Sequence, residues 1–133
     1  MKNLITALLL SLGLVAGAVA ENKEPFSEQR FNALKESGAV VLVDVFAEWC
    51  PTCAKQQEVI KKYRAENPDK DFHVLIVDFD KDKEWVRHFK APRQSTLVLF
   101  AGEEQVWFSV AETRLDVIGK QLDMAFAKAE SES

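Results

Sequence analysis

Two long runs of apolar residues dominate the chain after its first 20 residues. The runs from Ala39 to Ala47 and from Phe72 to Phe79 are almost continuously apolar, which is typical of strands that are covered on both faces. Between them, the segment from Cys50 to about Ala65 has its apolar residues at helical spacing, and Asn67-Pro68 stops it. A strand, a helix and a strand in this order predict a right-handed βαβ unit, so the two strands should be parallel.

The rest of the pattern predicts three more helices and a hairpin. These elements are a helix from Ser27 to Gly38, a short helix from Asp82 to Phe89, strands from Thr96 to Phe100 and from Gln105 to Val110, and a last helix from about Arg114 to Lys128. The last helix has an inward apolar stripe of Leu115, Ile118, Leu122, Ala125 and Phe126. The element order predicts an α/β domain with a mixed sheet of about four strands and helices on both faces.

The first 20 residues differ from the rest of the chain. Lys2 is followed by an uncharged apolar run from Leu4 to Val19, which ends in the small residues Ala18-Val19-Ala20. This pattern predicts a signal peptide over residues 1–20, cleaved after Ala20, and a periplasmic or secreted domain over residues 21–133. The alternative is an uncleaved membrane anchor, but the run of 16 residues is shorter than the ~20 that span a bilayer.

Charge argues against a nucleic-acid partner. The whole chain has a net charge of −4, and after loss of Lys2 the domain has 16 basic and 21 acidic residues, a net charge of −5. Phosphate binding needs a concentrated basic face, so we expect no nucleic acid to bind. We expect the ends of the domain, residues 21–25 and 131–133, to be loose.

The positions of the two cysteines indicate which chemistry the protein can perform. Both cysteines lie in Trp49-Cys50-Pro51-Thr52-Cys53, between a buried strand and the start of a helix. Unpaired N–H groups at a helix N-terminus lower a thiol pKa, and a spacing of two residues lets one thiol resolve a mixed disulfide formed by the other. We therefore predict that Cys50 is the exposed attacking thiolate, and that Cys53, one turn into the helix, is the covered resolving thiol.

Three other interpretations of the cysteine pair are weaker. A purely structural disulfide would stabilise little, because the loop that it closes is short. A zinc site needs four ligands, and besides the cysteines the chain offers only His73 and His88, one in a strand and one in a helix. Reduced, inert core cysteines do not suit an oxidising compartment.

The segment from Val43 to Cys53 resembles the active-site segment of the thioredoxin family. The resemblance continues through Val74 to Asp80, Thr96 to Phe100 and Gly102-Glu103, and it covers roughly Phe26 to Lys128. It implies a thioredoxin fold and disulfide exchange with other proteins, without a bound cofactor. Thioredoxins usually begin with an extra edge strand, for which the N-terminus of this domain has little room.

Two residues near the cysteines have predicted roles. Asp44 interrupts an apolar strand, so burial should raise its pKa and let it accept the proton of the resolving thiol. Its position matches the buried acid of the family, although a strand-end carboxylate bonded to backbone or solvent is the alternative. Lys55 is a possible counter-charge for Asp44, although a helical lysine two positions after the motif is more often merely solvated. Trp49 matches the tryptophan beside the attacking cysteine of the family, and it would form a rim for substrate.

The main departure from the family is at Ser95. Alignment on Thr96 to Phe100 places Ser95 where the family has a cis-proline facing the cysteines. We predict a cis Gln94–Ser95 bond, enforced by the surrounding strands, and the alternative is a trans bond in a reshaped loop. A hydroxyl here would stabilise the Cys50 thiolate, and the loop would pair with an extended substrate. The predicted substrate-binding residues are Trp49, Pro51, Thr52, Gln94, Ser95 and Thr96.

The leading hypothesis is a monomeric thiol–disulfide oxidoreductase that acts on exported proteins. No histidine separates the cysteines, which favours a reductant or moderate exchanger that receives its electrons from a membrane partner. One alternative is a module in which Cys50 and Cys53, with a second pair from a partner subunit, hold iron–sulfur or zinc. The other is a redox-inactive protein-binding domain.

Overall fold

The two long apolar runs form neighbouring strands inside a five-stranded sheet. The computed structural model describes residues 23–133, so the predicted signal peptide lies outside the described residues. The strands are β1 (Lys23–Pro25), β2 (Val40–Phe46), β3 (Phe72–Asp78), β4 (Thr96–Ala101) and β5 (Glu104–Val110), and the helices are α1 (Glu28–Glu36), α2 (Pro51–Glu66), α3 (Lys83–His88) and α4 (Leu115–Ser131). Within this part of the chain, no helix is long and apolar enough to cross a membrane.

The sheet has the order β1-β3-β2-β4-β5, with β2 at its centre. β1 and β2 both pair with β3 in parallel, whereas β2 with β4 and β4 with β5 are antiparallel pairs. The predicted βαβ unit, hairpin and mixed α/β architecture are therefore confirmed.

The N-terminal edge strand corrects one expectation. Residues 21–25 were expected to be loose, but Lys23–Pro25 pairs with β3 through Lys23 opposite Val74 and Pro25 opposite Ile76. The N–H of Phe26 also donates to the carbonyl oxygen of Ile76 at 2.8 Å. Backbone hydrogen bonds and the anchoring ring of Phe26 hold this polar segment, and neither produces a strand pattern in so short a sequence. At the other end, α4 continues to Ser131, beyond the predicted end at Lys128.

Both faces of β2 are covered by apolar layers. Val41, Val43 and Val45 pack with residues of α1 and α3, whereas Val40 and Leu42 pack with residues of α2 and α4. Because successive side chains of a strand point to opposite faces, Asp44 belongs to the same face as Leu42, beneath α2. The predicted stripe of α4 closes this second layer, with Ile118, Leu122 and Ala125 buried and Leu115 and Phe126 partly buried.

The apolar layer beneath α1 contains a cluster of aromatic rings. A substitution in this cluster tests the packing described above. Phe31 is 4% exposed, and its ring centroid lies 5.0–5.5 Å from those of Phe26, Phe89 and Phe100. Phe31→Ala should lower the free energy of unfolding by about 3–5 kcal/mol in urea denaturation, because it removes apolar burial and leaves a cavity. Phe108→Ala is the matched control, since Phe108 is 40% exposed, and it should cost less than about 1 kcal/mol. Equal losses in the two variants would contradict this assignment of the core.

Candidate active site

The two cysteines lie at the N-terminus of α2, directly beyond the end of β2. Cys50 is the N-cap residue, Pro51 occupies the first turn, and the Cys50 Sγ accepts a hydrogen bond of 3.1 Å from the N–H of Cys53. Proline suits this position because the N–H that it lacks has no partner within the helix. The Cys50 sulfur thus takes the place of the oxygen that usually caps a helix, where a negative charge is favoured.

The exposure predicted for Cys50 is wrong. Cys50 is 2% exposed and Cys53 is fully buried, and both pack with Ala47 beside the partly buried rings of Phe46 and Phe79. The loop before β4 contributes to this cover, because the Ser95 Oγ lies 3.2 Å from the Cys50 Sγ. The position of Cys50 directly before a helix suggests an open thiol, but the loop before β4, distant in sequence, covers its sulfur. Both cysteines are free thiols.

The two thiols differ in acidity. Burial raises the pKa of Cys50, but hydrogen bonds from the Cys53 thiol, the Ser95 hydroxyl, the Cys53 amide and Gln94 outweigh burial, so the pKa is lowered overall. Burial raises the pKa of Cys53, and its interaction with Cys50 raises it further. Cys50 is therefore the thiol that ionises more readily, and Cys53 keeps its proton.

The loop before β4 overturns the predicted cis bond. No peptide bond in residues 23–133 is cis, and Ser95 instead has a φ of +68° in the left-handed region. The N–H of Ser95 donates to the carbonyl oxygen of Val45 at 2.8 Å, and its carbonyl accepts from the N–H of Ala111 at 2.9 Å. Proline has no N–H and could not make the first of these bonds, so serine permits the trans, reshaped loop.

Gln56 is a site residue that the sequence analysis missed. Its side chain is fully buried, and its Nε2 donates to the carbonyl oxygens of Ser95 and Glu112, both at 3.0 Å. These bonds connect α2 to the loops on either side of the β4–β5 hairpin. The available signal was its position three residues after Cys53, on the same face of the helix.

Asp44 is fully buried on β2, as predicted. Burial raises its pKa to about 7, although the charge of Lys23 and a hydrogen bond from Gln57 act in the opposite direction. The Gln57 Nε2 donates to Asp44 Oδ2, while Asp44 Oδ1 has no hydrogen-bond partner. The carboxyl group can therefore gain or lose a proton near neutral pH.

The counter-charge of Asp44 is Lys23 of β1, not Lys55. Lys23 and Gln57 line one cavity of about 190 Å³ between α2 and the sheet edge. Lys55, on α2, is exposed and does not contribute to the pKa of Asp44. The sequence does not indicate the interaction between Lys23 and Asp44, because residues 23–25 are too short to show a strand pattern.

The surface beside the cysteines contains an exposed aromatic ring. Trp49 is 59% exposed, and its Nε1 donates to Asp80 Oδ2 at 2.8 Å. Pro51 is also exposed, Thr52 and Gln94 are half-buried, and Ser95 and Thr96 are buried. Asp80 was not predicted, although it follows β3 and the carboxyl ends of parallel strands meet at one sheet edge. Of the predicted substrate-binding residues, Trp49 and Pro51 offer most surface to a partner.

No group of three or more His, Cys, Asp and Glu residues in the described part of the chain is arranged to hold a metal ion. The site is built instead from two sulfurs, one hydroxyl and one buried carboxyl group.

Comparison with known proteins agrees with this arrangement. A family model described as Thioredoxin matches residues 21–123. The chain belongs to the thioredoxin family. Thioredoxins are thiol–disulfide oxidoreductases that act on protein disulfides, and this chain is an enzyme of that class.

Individual relatives share both sequence and fold. The thioredoxin of Chlamydia trachomatis is 35% identical over 86 residues, which are 63% of this chain and 79% of that protein. The crystal structure of Trxlp from Edwardsiella tarda matches with a TM-score of 0.70 at 36% identity, covering 75% of this chain and 97% of the other. A mutant thioredoxin from Halobacterium salinarum has a TM-score of 0.66 at 22% identity, covering 79% and 92%, and shows the shared fold.

Asp44→Asn should stabilise the reduced protein at neutral and alkaline pH. The folded pKa of about 7 exceeds the ordinary value of 3.8, so folding becomes less favourable as pH rises through this interval. At about pH 8 the variant should unfold with a free energy up to roughly 4 kcal/mol higher than wild type, and near pH 4 the difference should vanish. Urea denaturation over this pH range measures it, and a difference independent of pH would contradict the assignment.

Lys23→Met should raise the pKa of Asp44 above about 7, because it removes the cation that favours the carboxylate. NMR titration of the side-chain carboxyl carbon of Asp44 measures this rise. Lys55→Met is the control, since it removes an equal charge from α2, and it should leave the titration unchanged. A larger effect of Lys55→Met would mean that the counter-charge has been assigned to the wrong residue.

Proposed function

We propose that this thioredoxin-family protein reduces or exchanges disulfides of exported proteins, after removal of residues 1–20, through the Cys50-Pro51-Thr52-Cys53 pair. The observation that carries the proposal is the Cys50 sulfur at the N-cap of α2, which accepts the N–H of Cys53 and has a lowered pKa. A thiolate at this position is the nucleophile that disulfide exchange requires.

In this proposal Cys50 attacks and Cys53 resolves. The Cys50 thiolate forms a mixed disulfide with the substrate, and Cys53 then attacks the Cys50 sulfur and releases the reduced substrate. The Cys53 thiol must lose its proton before it attacks, and its pKa is raised. Asp44, with a pKa of about 7, is suited to accept that proton at neutral pH.

Two features bear on the direction of electron flow: the hydrogen-bond donors around Cys50 and the residues between the two cysteines. Hydrogen bonds to a thiolate stabilise the reduced pair and make it more oxidising, but the strongly oxidising arrangement with histidine between the cysteines is absent from Pro51-Thr52. We therefore assign the protein to reduction or moderate exchange. An exported reductant needs a continuing supply of electrons, for which we propose a thiol-bearing membrane protein.

Substrate contact is proposed for the surface around Trp49. An exposed ring fixed by a hydrogen bond to Asp80 offers apolar contact area with little loss of side-chain freedom on binding. The near-complete burial of both sulfurs favours reaction with one substrate sulfur at a time over a metal bridge between two subunits.

Cys50→Ser should abolish the reduction of insulin by dithiothreitol that the mature protein catalyses. Loss of the attacking thiolate removes the covalent route, so the rate should fall at least about 100-fold, to the uncatalysed level. Turbidity of the precipitating insulin chains measures the reaction. A wild-type rate equal to that of Cys50→Ser would rule out the proposal.

Cys53→Ala, expressed with its complete N-terminal segment, should identify the partners. Without the resolving thiol, Cys50 should retain both substrate and electron donor as mixed disulfides, which mass spectrometry can name. The trapped protein should begin at Glu21 and come from the exported fraction. Cys50→Ser combined with Cys53→Ala is the control that should trap nothing. A folded, exported Cys53→Ala protein without mixed disulfides would argue against the proposed substrates.

A further inference from the structure

One hydroxyl group lies between the two reactive sulfurs. The Ser95 Oγ is 3.2 Å from the Cys50 Sγ and 3.2 Å from the Cys53 Sγ, and Ser95 is fully buried. A serine hydroxyl has a single proton and can donate it to only one acceptor at a time. It can therefore stabilise negative charge on either sulfur, but not on both together.

The backbone of Ser95 is fixed while its hydroxyl proton is free to rotate. Its N–H donates to the carbonyl oxygen of Val45 at 2.8 Å. Its carbonyl oxygen accepts from the N–H of Ala111 at 2.9 Å and from the Nε2 of Gln56 at 3.0 Å. The φ of +68° is unfavourable for serine, and the surrounding contacts hold the backbone in this conformation. Strain of this kind at an active site is commonly maintained because it places a functional group.

We propose that the Ser95 hydroxyl is a catalytic hydrogen-bond donor that serves the two sulfurs in turn. It donates to the Cys50 thiolate before substrate attack, and it turns to the Cys53 sulfur once Cys50 is held in the mixed disulfide. This inference rests on the proposed exchange chemistry of Cys50 and Cys53, and it assigns the hydroxyl a part in both steps.

In the first step, the Cys50 thiolate attacks one sulfur of the substrate disulfide. A bond forms between Cys50 and that sulfur, the substrate disulfide breaks, and the leaving thiolate takes a proton from solvent. The Cys50 sulfur is now neutral and a weaker acceptor, so the Ser95 hydroxyl is released from it.

In the second step, the Cys53 thiol transfers its proton to Asp44, and the Ser95 hydroxyl donates to the resulting thiolate. Cys53 attacks the Cys50 sulfur, the internal disulfide forms, and the second substrate thiolate leaves and is protonated by solvent. The substrate thus gains two electrons from the Cys50–Cys53 pair and two protons from solvent. The proton of Cys53 remains on Asp44 and is then released to solvent.

A chromogenic aromatic disulfide, dithiobis(nitrobenzoate), separates the two steps. Attack by Cys50 releases one coloured thiolate, and resolution by Cys53 releases a second, so stopped-flow absorbance gives a rate for each. Ser95→Ala should shift the pH profiles of both rates upward by about one to two units, the loss expected for one hydrogen bond to a charged group. Repeating the series with Asp44→Asn separates the titration of Asp44 from that of the thiols.

Three further variants control the experiment. Ser109→Ala removes another hydroxyl that is buried and has no hydrogen-bond partner, so it should shift neither profile. Ser95→Thr restores a hydroxyl and should recover at least part of both shifts. Ser95→Gly also lacks the hydroxyl but tolerates a positive φ, so it should match Ser95→Ala and replaces it if that variant does not fold.

Upward shifts of both profiles in Ser95→Ala, absent from Ser109→Ala, would support the proposal. A shift of the first profile alone would overturn it, because the hydroxyl would then serve only Cys50. Unchanged profiles would overturn it equally. These outcomes differ from failure of the proposed function, in which wild type itself would release no thiolate in a reaction that depends on Cys50.

Discussion

Burial of the central strand β2 on both faces is the constraint on which the site depends. Val41, Val43 and Val45 are fully buried on one face, and Leu42 and Asp44 are fully buried on the other. β2 also pairs with a strand on each side, so its end is fixed in all directions. The chain leaves this fixed end and reaches Cys50 four residues later. Both the Cys50 sulfur and the carbonyl of Val45, which accepts a hydrogen bond from the N–H of Ser95, are therefore held by a rigid strand.

The same burial contributes to the different pKa values of Asp44, Cys50 and Cys53. A carboxyl group removed from water holds its proton more tightly, and this is why Asp44 titrates near 7 and not near 3.8. A thiol is affected in the same direction by burial, yet Cys50 becomes more acidic because several donors converge on its sulfur. Cys53, one turn deeper in α2, lacks an equal set of donors and becomes less acidic. Within one buried site, the pKa of one thiol is therefore lowered, whereas the pKa values of the other thiol and of the carboxyl group are raised.

The loop at Ser95 places a polar residue where the resemblance to thioredoxins implies a proline. Ser95 donates its N–H to the carbonyl oxygen of Val45 and places its hydroxyl beside the two sulfurs. Its backbone has a positive φ, and its peptide bond is trans. Gln56 fixes the carbonyl of the same residue from α2. The active site therefore contains a polar group at a point where a proline ring would present only carbon atoms.

The sequence by itself determined strands β2 to β5, the four helices, the α/β class and the position of the cysteine pair at a helix N-terminus, but not the edge strand β1. These features depend on the spacing of apolar residues and on neighbours a few positions apart. It also indicated that Asp44 is buried, because a single charge interrupts an apolar strand. Only the tertiary structure decided that Lys23 and Gln57 act on Asp44, that Asp80 holds Trp49, and that Ser95 covers both sulfurs. Those contacts join residues far apart along the chain, such as Cys50 and Ser95 at a separation of 45, and local periodicity contains no information about them. The Ser95 backbone was mispredicted for the same reason, since its conformation is set by hydrogen bonds to β2, α2 and the end of β5.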